Sequence, residues 1–315
     1  MPKRLKRWDE KKRKFTLEDD VYKKLVSMLE AGSSRSRHED KVCLEDLTKG
    51  RIYSFVTYKN YKRSCDRFVE WIKKSHPEIR NLHSVKTHHV DEYLQTLIDE
   101  KKSAATISSY KAALAKLLQV SSQDFIATPQ VLRADITRSR GPAIRDKHIA
   151  KETENFYATF TKAIGARRSE MQELRGTDLV FKDLKIEIDG KTKIVKSYPH
   201  VLIRNGKGGK RRFAPILGKN KKETQEIVKV FQKAGKKKAI GRLPNHYDNH
   251  SYRAFYAKRW YKVLARPIRE IEDRSQIYFC RAERKGDAFD KEAMKHVSQY
   301  LGHSRIDVIA RHYLY

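Results

Sequence analysis

The most informative segment lies near the end of the chain: Leu301-Gly302-His303-Ser304, followed ten positions after His303 by Tyr313. Upstream lie His250-Ser251-Tyr252-Arg253 and, further still, Gly165-Ala166-Arg167-Arg168-Ser169-Glu170. The order and local spelling of these segments matter more than their residue types, since any basic protein has spare arginines and histidines. Two arginines, two histidines and a tyrosine in this arrangement are the groups that let a tyrosine attack a phosphodiester.

The composition indicates a folded, strongly basic protein. The chain has 315 residues, with 70 Lys and Arg against 39 Asp and Glu, and a formal net charge of +31. Its length predicts two domains, and 39% hydrophobic residues are enough to bury their cores. The charge indicates a nucleic-acid partner, because Lys and Arg release counterions condensed on the phosphate backbone. We expect no membrane partner, because the sequence has no long apolar run, signal peptide or lipidation motif.

The cysteines indicate neither a disulfide framework nor a metal site. Cys43, Cys65 and Cys280 are far apart and form no CxxC pair or Cys/His cluster with zinc-ligand spacing. We interpret them as reduced thiols of a cytoplasmic, nucleoid-associated protein, and we predict no metal.

Residues 46–135 are predicted to form a helical DNA-binding domain, preceded by a basic arm and a helix at residues 1–45. Three stripes of apolar residues recur at helical spacing. They are Tyr61, Cys65, Phe68 and Ile72; Val90, Tyr93, Leu94 and Leu97; and Ile107, Tyr110, Leu114 and Leu117. Ser103 is the predicted N-cap of the third helix. The basic residues expected to face DNA are Lys59, Lys62, Arg63 and Lys111.

A linker is predicted at residues 136–150 and a second domain at residues 151–315. The first helix of this domain carries Phe156, Phe160 and Ile164 and is expected to end near Gly165.

The pattern then changes to short β-rich runs between Leu184 and Ile216. These predict a small antiparallel sheet, with a hairpin at residues 205–210, before helices resume near Lys221. The predicted fold class is mainly α with a small antiparallel β-sheet, the second domain being mixed α/β.

Phosphodiester cleavage by a tyrosine sets three chemical requirements. The nucleophile must lie in line, the charge of the phosphorane must be neutralised, and the leaving 5′ oxygen must receive a proton. Arginine suits the second task because its planar guanidinium is bidentate and always charged. A free tyrosine has a pKa of about 10, so forming the anion at neutral pH costs roughly 4 kcal/mol unless cations or a base assist.

The motifs together resemble those of the tyrosine recombinases, the phage and mobile-element integrases. The resemblance spans about residues 50–315. Gly165–Glu170, with Leu174-Arg175 and Asp178-Leu179, is similar to the first arginine box of that family. Gly206–Lys210, with Arg212 and Pro215, is similar to its β-hairpin lysine motif. His250-x-x-Arg253 is similar to its second box, and Leu301–Ser304 with Tyr313 to its third.

The resemblance implies a role for each matching residue. Arg167 and Arg253 would hold the scissile phosphate, and His303 would hydrogen-bond it. Lys207 would protonate the leaving 5′ oxygen. His250 would assist proton transfer at the tyrosine.

Tyr313 would form the 3′-phosphotyrosyl link, and Glu170 would support the site by orienting a cation. The hairpin residues Lys210, Arg211 and Arg212 would contact DNA. Three alternatives remain open: Arg168 for Arg167, Lys210 for Lys207, and Tyr315 for Tyr313.

The resemblance also implies an architecture and an assembly. The helical SAM-like core-binding domain and the mixed α/β catalytic domain would close as a C-shaped clamp on double-stranded DNA. A homotetramer would pair two recombination sites and exchange strands through a Holliday junction. No cofactor is implied, and an accessory DNA-bending protein is a possible further partner.

Two departures from the family pattern stand out. Arg253 and His303 are 50 positions apart, and the charged stretch Glu270–Lys285 predicts an insertion within residues 254–302. The sequence ends two residues after Tyr313, where many relatives have a helix that docks on a neighbouring subunit. Two alternative functions remain: a type IB topoisomerase-like enzyme, and a non-catalytic DNA-binding regulator descended from a recombinase.

Overall fold

The computed structural model describes residues 16–31, 39–40, 47–132, 135, 149–206, 210–244 and 247–314. The chain divides into two compact units, residues 1–135 and 136–315. Helices predominate in the described residues, and the strands form two small antiparallel sheets in the second unit. The predicted fold class, mainly α with a small antiparallel β component, is therefore confirmed. The basic arm before Thr16 and most of the predicted linker lie outside the described residues.

The first unit is a bundle of helices around one apolar core. Its helices are α1 (Leu17–Ser27), α2 (Phe55–Ser75), α3 (Thr87–Asp99) and α4 (Ala104–Leu118). The three predicted stripes face the core, and only Tyr61 among their members is partly buried rather than buried. Ser103 caps α4 as predicted, because its side chain accepts a hydrogen bond from the backbone N–H of Thr106 at 3.2 Å. α1, predicted together with the basic arm at residues 1–45, packs into this same core through Leu17, Val21 and Leu25.

The described residues of the second unit form six α-helices and the two sheets. The helices are α5 (Lys151–Ile164), α6 (Arg168–Glu173), α7 (Lys221–Ala234), α8 (Asn249–Leu264), α9 (Lys291–Leu301) and α10 (Asp307–His312). The strands are β1 (Leu179–Ile188), β2 (Lys191–Ile203), β3 (Arg212–Pro215), β4 (Ile277–Phe279) and β5 (Ala288–Asp290). One apolar cluster lies among α5, α6, α7 and the sheet, and a second lies among α8, α9 and α10.

The larger sheet has the order β1-β2-β3, with both pairs antiparallel. The turn from β1 to β2 is Asp189-Gly190, and both residues have positive φ, 54° and 66°. Two consecutive residues with positive φ fit a primed hairpin turn, whose twist matches that of paired strands. The connection from β2 to β3 is the predicted hairpin, of which residues 207–209 lie outside the described residues.

The predicted insertion contains the second sheet. β4 pairs antiparallel with β5, so Glu270–Lys285 includes one strand and most of the loop that follows it. α5 carries Phe156, Phe160 and Ile164 and ends next to Gly165 as predicted. Phe160 and Ile164 are buried, whereas Phe156 is 41% exposed.

Gly165 ends α5 in a conformation that glycine adopts without strain. Its φ is +60°, and a Cβ built there would lie 2.2 Å from Cδ1 of Tyr256. The close approach sets the direction in which the chain leaves α5 toward Arg167.

Replacing Gly165 by alanine is expected to destabilise the second unit by about 3 kcal/mol, because the methyl group meets a buried ring in addition to the backbone strain. Gly190→Ala is the matched control. Its φ is +66°, but nothing lies within 4 Å of the added Cβ. Calorimetry should show a loss of about 1 kcal/mol for this control. Equal losses for the two variants would contradict a role for the Tyr256 contact.

Candidate active site

The first arginine motif is held by the carboxylate of Glu170 at the start of α6. The carboxylate of Glu170 accepts the backbone N–H of Arg167 at Oε2 and its guanidinium at Oε1, both at 2.7 Å. Glu170 is almost fully buried, and the Arg167 side chain keeps 21% of its surface exposed. Arg167 is therefore fixed at its base while its head can still reach solvent.

Glu170 gathers three arginines around one carboxylate. Besides Arg167, it accepts from Arg212 through Nη1 at 2.9 Å and Nη2 at 2.6 Å, and Nη1 of Arg253 lies 3.9 Å away. Burial alone would raise the pKa of Glu170, but the hydrogen bonds from Arg212 and Arg167 and the charge of Arg253 lower that pKa to about 2. The carboxylate is thus ionised at neutral pH and offsets part of the repulsion among the three guanidinium groups.

Arg212 corrects one prediction. It was expected to contact DNA, but its side chain is buried and donates its hydrogen bonds to groups inside the protein. Its Nε donates to the carbonyl of Tyr300 at 3.0 Å, and both Nη atoms donate to Glu170. The other predicted hairpin contacts, Lys210 and Arg211, are exposed. Arg212 is therefore an internal link between β3, α6 and the end of α9.

Arg253 lies on α8 and has no exposed surface. Its Nη1 donates to the carbonyl of Gly165, and its Nη2 donates to the carbonyl of Leu301 at 2.6 Å. Its Nε donates to the hydroxyl of Tyr313 at 3.2 Å. Burial and the neighbouring arginines lower the pKa of Arg253. This guanidinium therefore joins the segment at Gly165, its own segment and the segment from Leu301 to Tyr313 at one point.

His303 and Tyr313 meet at that point. Gly302 ends α9 with a φ of +68°, and the backbone N–H of His303 donates to the carbonyl of Ser298 at 2.8 Å. The hydroxyl of Tyr313 lies 3.1 Å from Nε2 of His303, and the Tyr313 side chain is buried. The structure thus brings the predicted nucleophile to both an arginine and a histidine of its own chain.

The direction of these hydrogen bonds follows from the chemistry of arginine. Burial, then the charges of Arg253, Arg167 and Arg212, lower the pKa of His303 to about 3, so the imidazole is neutral at pH 7. Its Nε2 also lies 3.5 Å from Nη2 of Arg253, and a guanidinium can only donate. Nε2 is therefore the acceptor, so the Tyr313 hydroxyl donates to His303 while it accepts from Arg253.

His250 is the exposed member of the site. It lies in the first turn of α8, and the centroid of its ring is 5.8 Å from that of Tyr313. The ring of His303 also packs against Tyr313, and the centroids of these two rings are 5.5 Å apart. Two imidazoles thus lie beside the phenol.

The alternatives raised by the sequence fare differently. Arg168 donates to the carbonyls of Leu243, at 2.8 Å, and Pro244, so its guanidinium supports a loop instead of pointing into the cluster. Lys207 and Tyr315 lie outside the described residues. Gly206 is described, and a Cβ built on it would lie 3.5 Å from Oε1 of Glu170, so the hairpin begins against the buried carboxylate.

The predicted DNA-facing residues of the first unit differ in their partners. Lys59 and Arg63 are exposed on α2. Lys62 pairs with Asp66 at 2.7 Å, and Nζ of Lys111 donates to the carbonyl of Ile126 at 2.6 Å. Lys62 and Lys111 therefore already have partners within the unit.

The described residues contain neither a metal-binding cluster nor a membrane-spanning helix. No group of three or more His, Cys, Asp or Glu side chains in the described ranges is arranged to hold a metal ion. Over the same part of the chain, no helix combines the length and the apolar character needed to cross a membrane.

Comparison with known proteins supplies a family match for one region. Residues 43–123 match the family model of the phage integrase N-terminal SAM-like domain. A search of curated proteins found no match.

Several solved structures resemble most of this chain at low sequence identity. The XerH site-specific recombinase bound to a palindromic difH substrate is 14% identical, with a TM-score of 0.51, covering 94% of this chain and 90% of that one. The Tn1549 transposon integrase in complex with transposon right-end DNA is 15% identical, covering 81% and 89%, with a TM-score of 0.42. A lambda integrase tetramer bound to a Holliday junction is 17% identical, covering 81% and 70%, with a TM-score of 0.40. The likeness to XerH establishes the fold of this chain.

Proposed function

We propose that this chain, which has the tyrosine recombinase fold and a phage-integrase SAM-like domain at residues 43–123, is a site-specific DNA recombinase. The observation that carries the proposal is the position of the Tyr313 hydroxyl, 3.2 Å from Nε of Arg253 and 3.1 Å from Nε2 of His303. Glu170 joins Arg253 to Arg167 in the same cluster. A net charge of +31 supports DNA as the substrate.

The proposed reaction forms and breaks one bond in each direction. The Tyr313 oxygen attacks the scissile phosphorus, the bond to the 5′ oxygen breaks, and a 3′-phosphotyrosyl link forms. Arg167 and Arg253 neutralise the phosphorane, and Lys207 gives a proton to the leaving 5′ oxygen. Attack by the 5′ hydroxyl of a partner strand reverses these steps. Because the phosphotyrosyl bond conserves the free energy of the phosphodiester, rejoining needs no nucleotide.

The tyrosine proton needs an acceptor during attack. The family resemblance assigns this task to His250. The neutral imidazole of His303 lies within hydrogen-bond distance of the hydroxyl, but its lowered pKa makes it a weak base, which favours His250 for this task. Arg253 has no exposed surface and its Nε donates to the Tyr313 hydroxyl, so a phosphate that binds this Nε must displace that hydroxyl.

The proposed assembly follows the family pattern. A homotetramer would pair two duplex sites and exchange strands in two steps through a Holliday junction. Residues 46–135 would serve as the core-binding domain and residues 151–315 as the catalytic domain.

Trapping of a covalent complex tests the proposed function. The protein is incubated in EDTA with nicked duplexes made from the DNA that flanks its gene, and the products are resolved on a denaturing gel. We expect a protein–DNA band that withstands boiling. Joining of strands from two different duplexes would support recombination, whereas relaxation of supercoiled DNA without such joining would support the topoisomerase-like alternative. Tight binding without a covalent band would support the non-catalytic regulator.

DNA binding is expected to depend steeply on salt. If the protein neutralises about six to ten phosphates, its affinity should fall by about 10³-fold or more between about 50 and 200 mM monovalent salt. Replacing both Lys59 and Arg63 by glutamine should lower the log–log slope by about two, at about 0.9 per phosphate contact. Lys62→Gln is the comparison variant and should change the slope less, because Lys62 is paired with Asp66. A flat salt response would contradict the basic-surface argument.

A further inference from the structure

In the loop between β4 and β5, the guanidinium of Arg284 is held in place by Asp287 and by the ring of Phe289. Nε of Arg284 donates to Oδ2 of Asp287 at 2.7 Å, and the guanidinium carbon lies 5.2 Å from the centroid of the Phe289 ring. Only 17% of the Arg284 side chain is exposed. An ion pair and a ring together restrict its rotamers, so little further entropy is lost when its other donors bind.

Those other donors hold the chain on both sides of the predicted nucleophile. Nη1 of Arg284 donates to the carbonyl of Ala310 at 2.6 Å, and Nη2 donates to the carbonyl of Leu314 at 2.9 Å. Ala310 is three residues before Tyr313, and Leu314 is the residue after it. The guanidinium therefore brackets Tyr313 without touching its side chain.

The end of α10 explains why the Ala310 carbonyl needs this partner. In a continuing helix, the N–H of Leu314 would bond to the carbonyl of Ala310. Here the N–H groups of Tyr313 and Leu314 both donate to the carbonyl of Ile309, at 3.0 and 3.1 Å. The Ala310 carbonyl is one of the acceptors that a helix leaves unpaired at its end, and Arg284 supplies the donor. A cation is also favourable at the C-terminal end of a helix.

We propose that Arg284 is a positioning residue that holds the backbone of the Tyr313 segment at the active site of its own subunit. The inference rests on the proposed function only in taking Tyr313 as the nucleophile. In this segment Arg284 binds main-chain carbonyls, not the Tyr313 side chain. That side chain can therefore turn about χ1 when a phosphate displaces its hydroxyl from Arg253. The segment stays in place while its hydroxyl moves from arginine to phosphorus. This gives the β4–β5 insertion a task in catalysis.

Hydrogen exchange of the free protein, without any DNA, tests whether Arg284 holds the backbone of the Tyr313 segment. Arg284→Met keeps the apolar stem over Phe289 and removes every donor. Amide exchange at residues 311–314 should quicken by about tenfold, since loss of the anchors lowers the free energy of local opening. Arg281→Met is the matched control, because it removes an exposed arginine from the same loop and should leave this exchange at the wild-type rate. Unchanged exchange in Arg284→Met would overturn the proposal.

Single-turnover cleavage tests the consequence. At saturating nicked DNA, Arg284→Met should cleave about tenfold more slowly or worse, because a displaced nucleophile loses its alignment. The Kd for DNA should stay within about twofold, and Arg284→Lys should recover part of the rate, since one ammonium can reach a carbonyl. A wild-type or faster rate in the Met variant would overturn the proposal, as would a loss confined to Kd. If the wild type forms no covalent complex but Arg284→Met still speeds exchange at residues 311–314, then Arg284 holds the backbone as proposed and the proposed function is wrong.

Discussion

Tyr313→Phe is expected to lower the yield of covalent protein–DNA complex by at least about 10⁴-fold, the scale of loss when an enzyme's nucleophile is removed. The phenylalanine ring fills the same buried space but has no oxygen to attack phosphorus. Arg253 and His303 each lose one hydrogen bond, while Arg253 keeps the carbonyls of Gly165 and Leu301. The variant should therefore fold, and its Kd for DNA should stay within about threefold of the wild-type value, since phosphate contacts dominate affinity.

The control for this experiment is Tyr300→Phe. Tyr300 lies in the same apolar cluster, and its hydroxyl has no hydrogen-bond partner among the described residues. This variant should form the covalent complex at close to the wild-type rate. Tyr315→Phe completes the set, because Tyr315 is the competing nucleophile. A band that survives Tyr313→Phe and disappears in Tyr315→Phe would show that the assignment is wrong.

The sequence predicted the parts of the site that depend on local geometry. Gly165 precedes Arg167 by two positions because the chain must leave α5 through a positive φ beside Tyr256. Glu170 follows Arg167 by three positions because that spacing lets a carboxylate cap the backbone N–H of its partner. Such short-range constraints appear directly as spacing, so motif and structure agree there.

The inward direction of Arg212 has a signal in the alternation of the strand. Along β3, Arg212 and Ala214 are buried and Phe213 is exposed, which is the period of two expected for a strand. Arg212 shares a face with Ala214, so its inward direction could have been inferred. The turn Asp189-Gly190 carried another unused signal, since this dipeptide favours a two-residue hairpin. Recognising it would have placed β2 from Lys191 onward.

Other features had no local signal. The bond from Arg284 to the carbonyl of Leu314 joins residues 30 positions apart, and the bond from Arg253 to Tyr313 joins residues 60 apart. Neither partner lies in a periodic pattern that points to the other. The exposure of Phe156 is similar, because the spacing of one helix does not specify how its neighbours cover it. Tertiary packing decides all three.

The second large effect is expected for Glu170→Gln. The amide is uncharged and presents an NH₂ group toward guanidinium donors, so Arg167, Arg212 and Arg253 lose their shared anion. Removing one partner from a buried ion cluster destabilises a protein by about 3 to 5 kcal/mol. The lowered pKa of Glu170, about 2 against a reference of 4.5, gives about 3 kcal/mol by linkage. Cleavage should also fall by about 10²-fold, because two phosphate-binding arginines lose their support.

The pH dependence separates this charge effect from a loss of packing. A carboxylate with a lowered pKa contributes its full stability above the unfolded pKa of about 4.5 and loses it as the pH falls toward 2. Calorimetry at pH 7 should therefore show a drop of about 6 to 12 °C in the melting temperature of the second unit, shrinking steadily below pH 4.5. Glu173→Gln is the matched control, because Glu173 lies on the same helix. Glu173 is largely exposed and, among the described residues, pairs only with Lys238, at 3.2 Å. It should change the melting temperature by no more than about 2 °C, as expected for a surface ion pair. A Glu170→Gln deficit that stayed constant from pH 7 to pH 3 would mean that packing, and not the carboxylate charge, holds the three arginines in place.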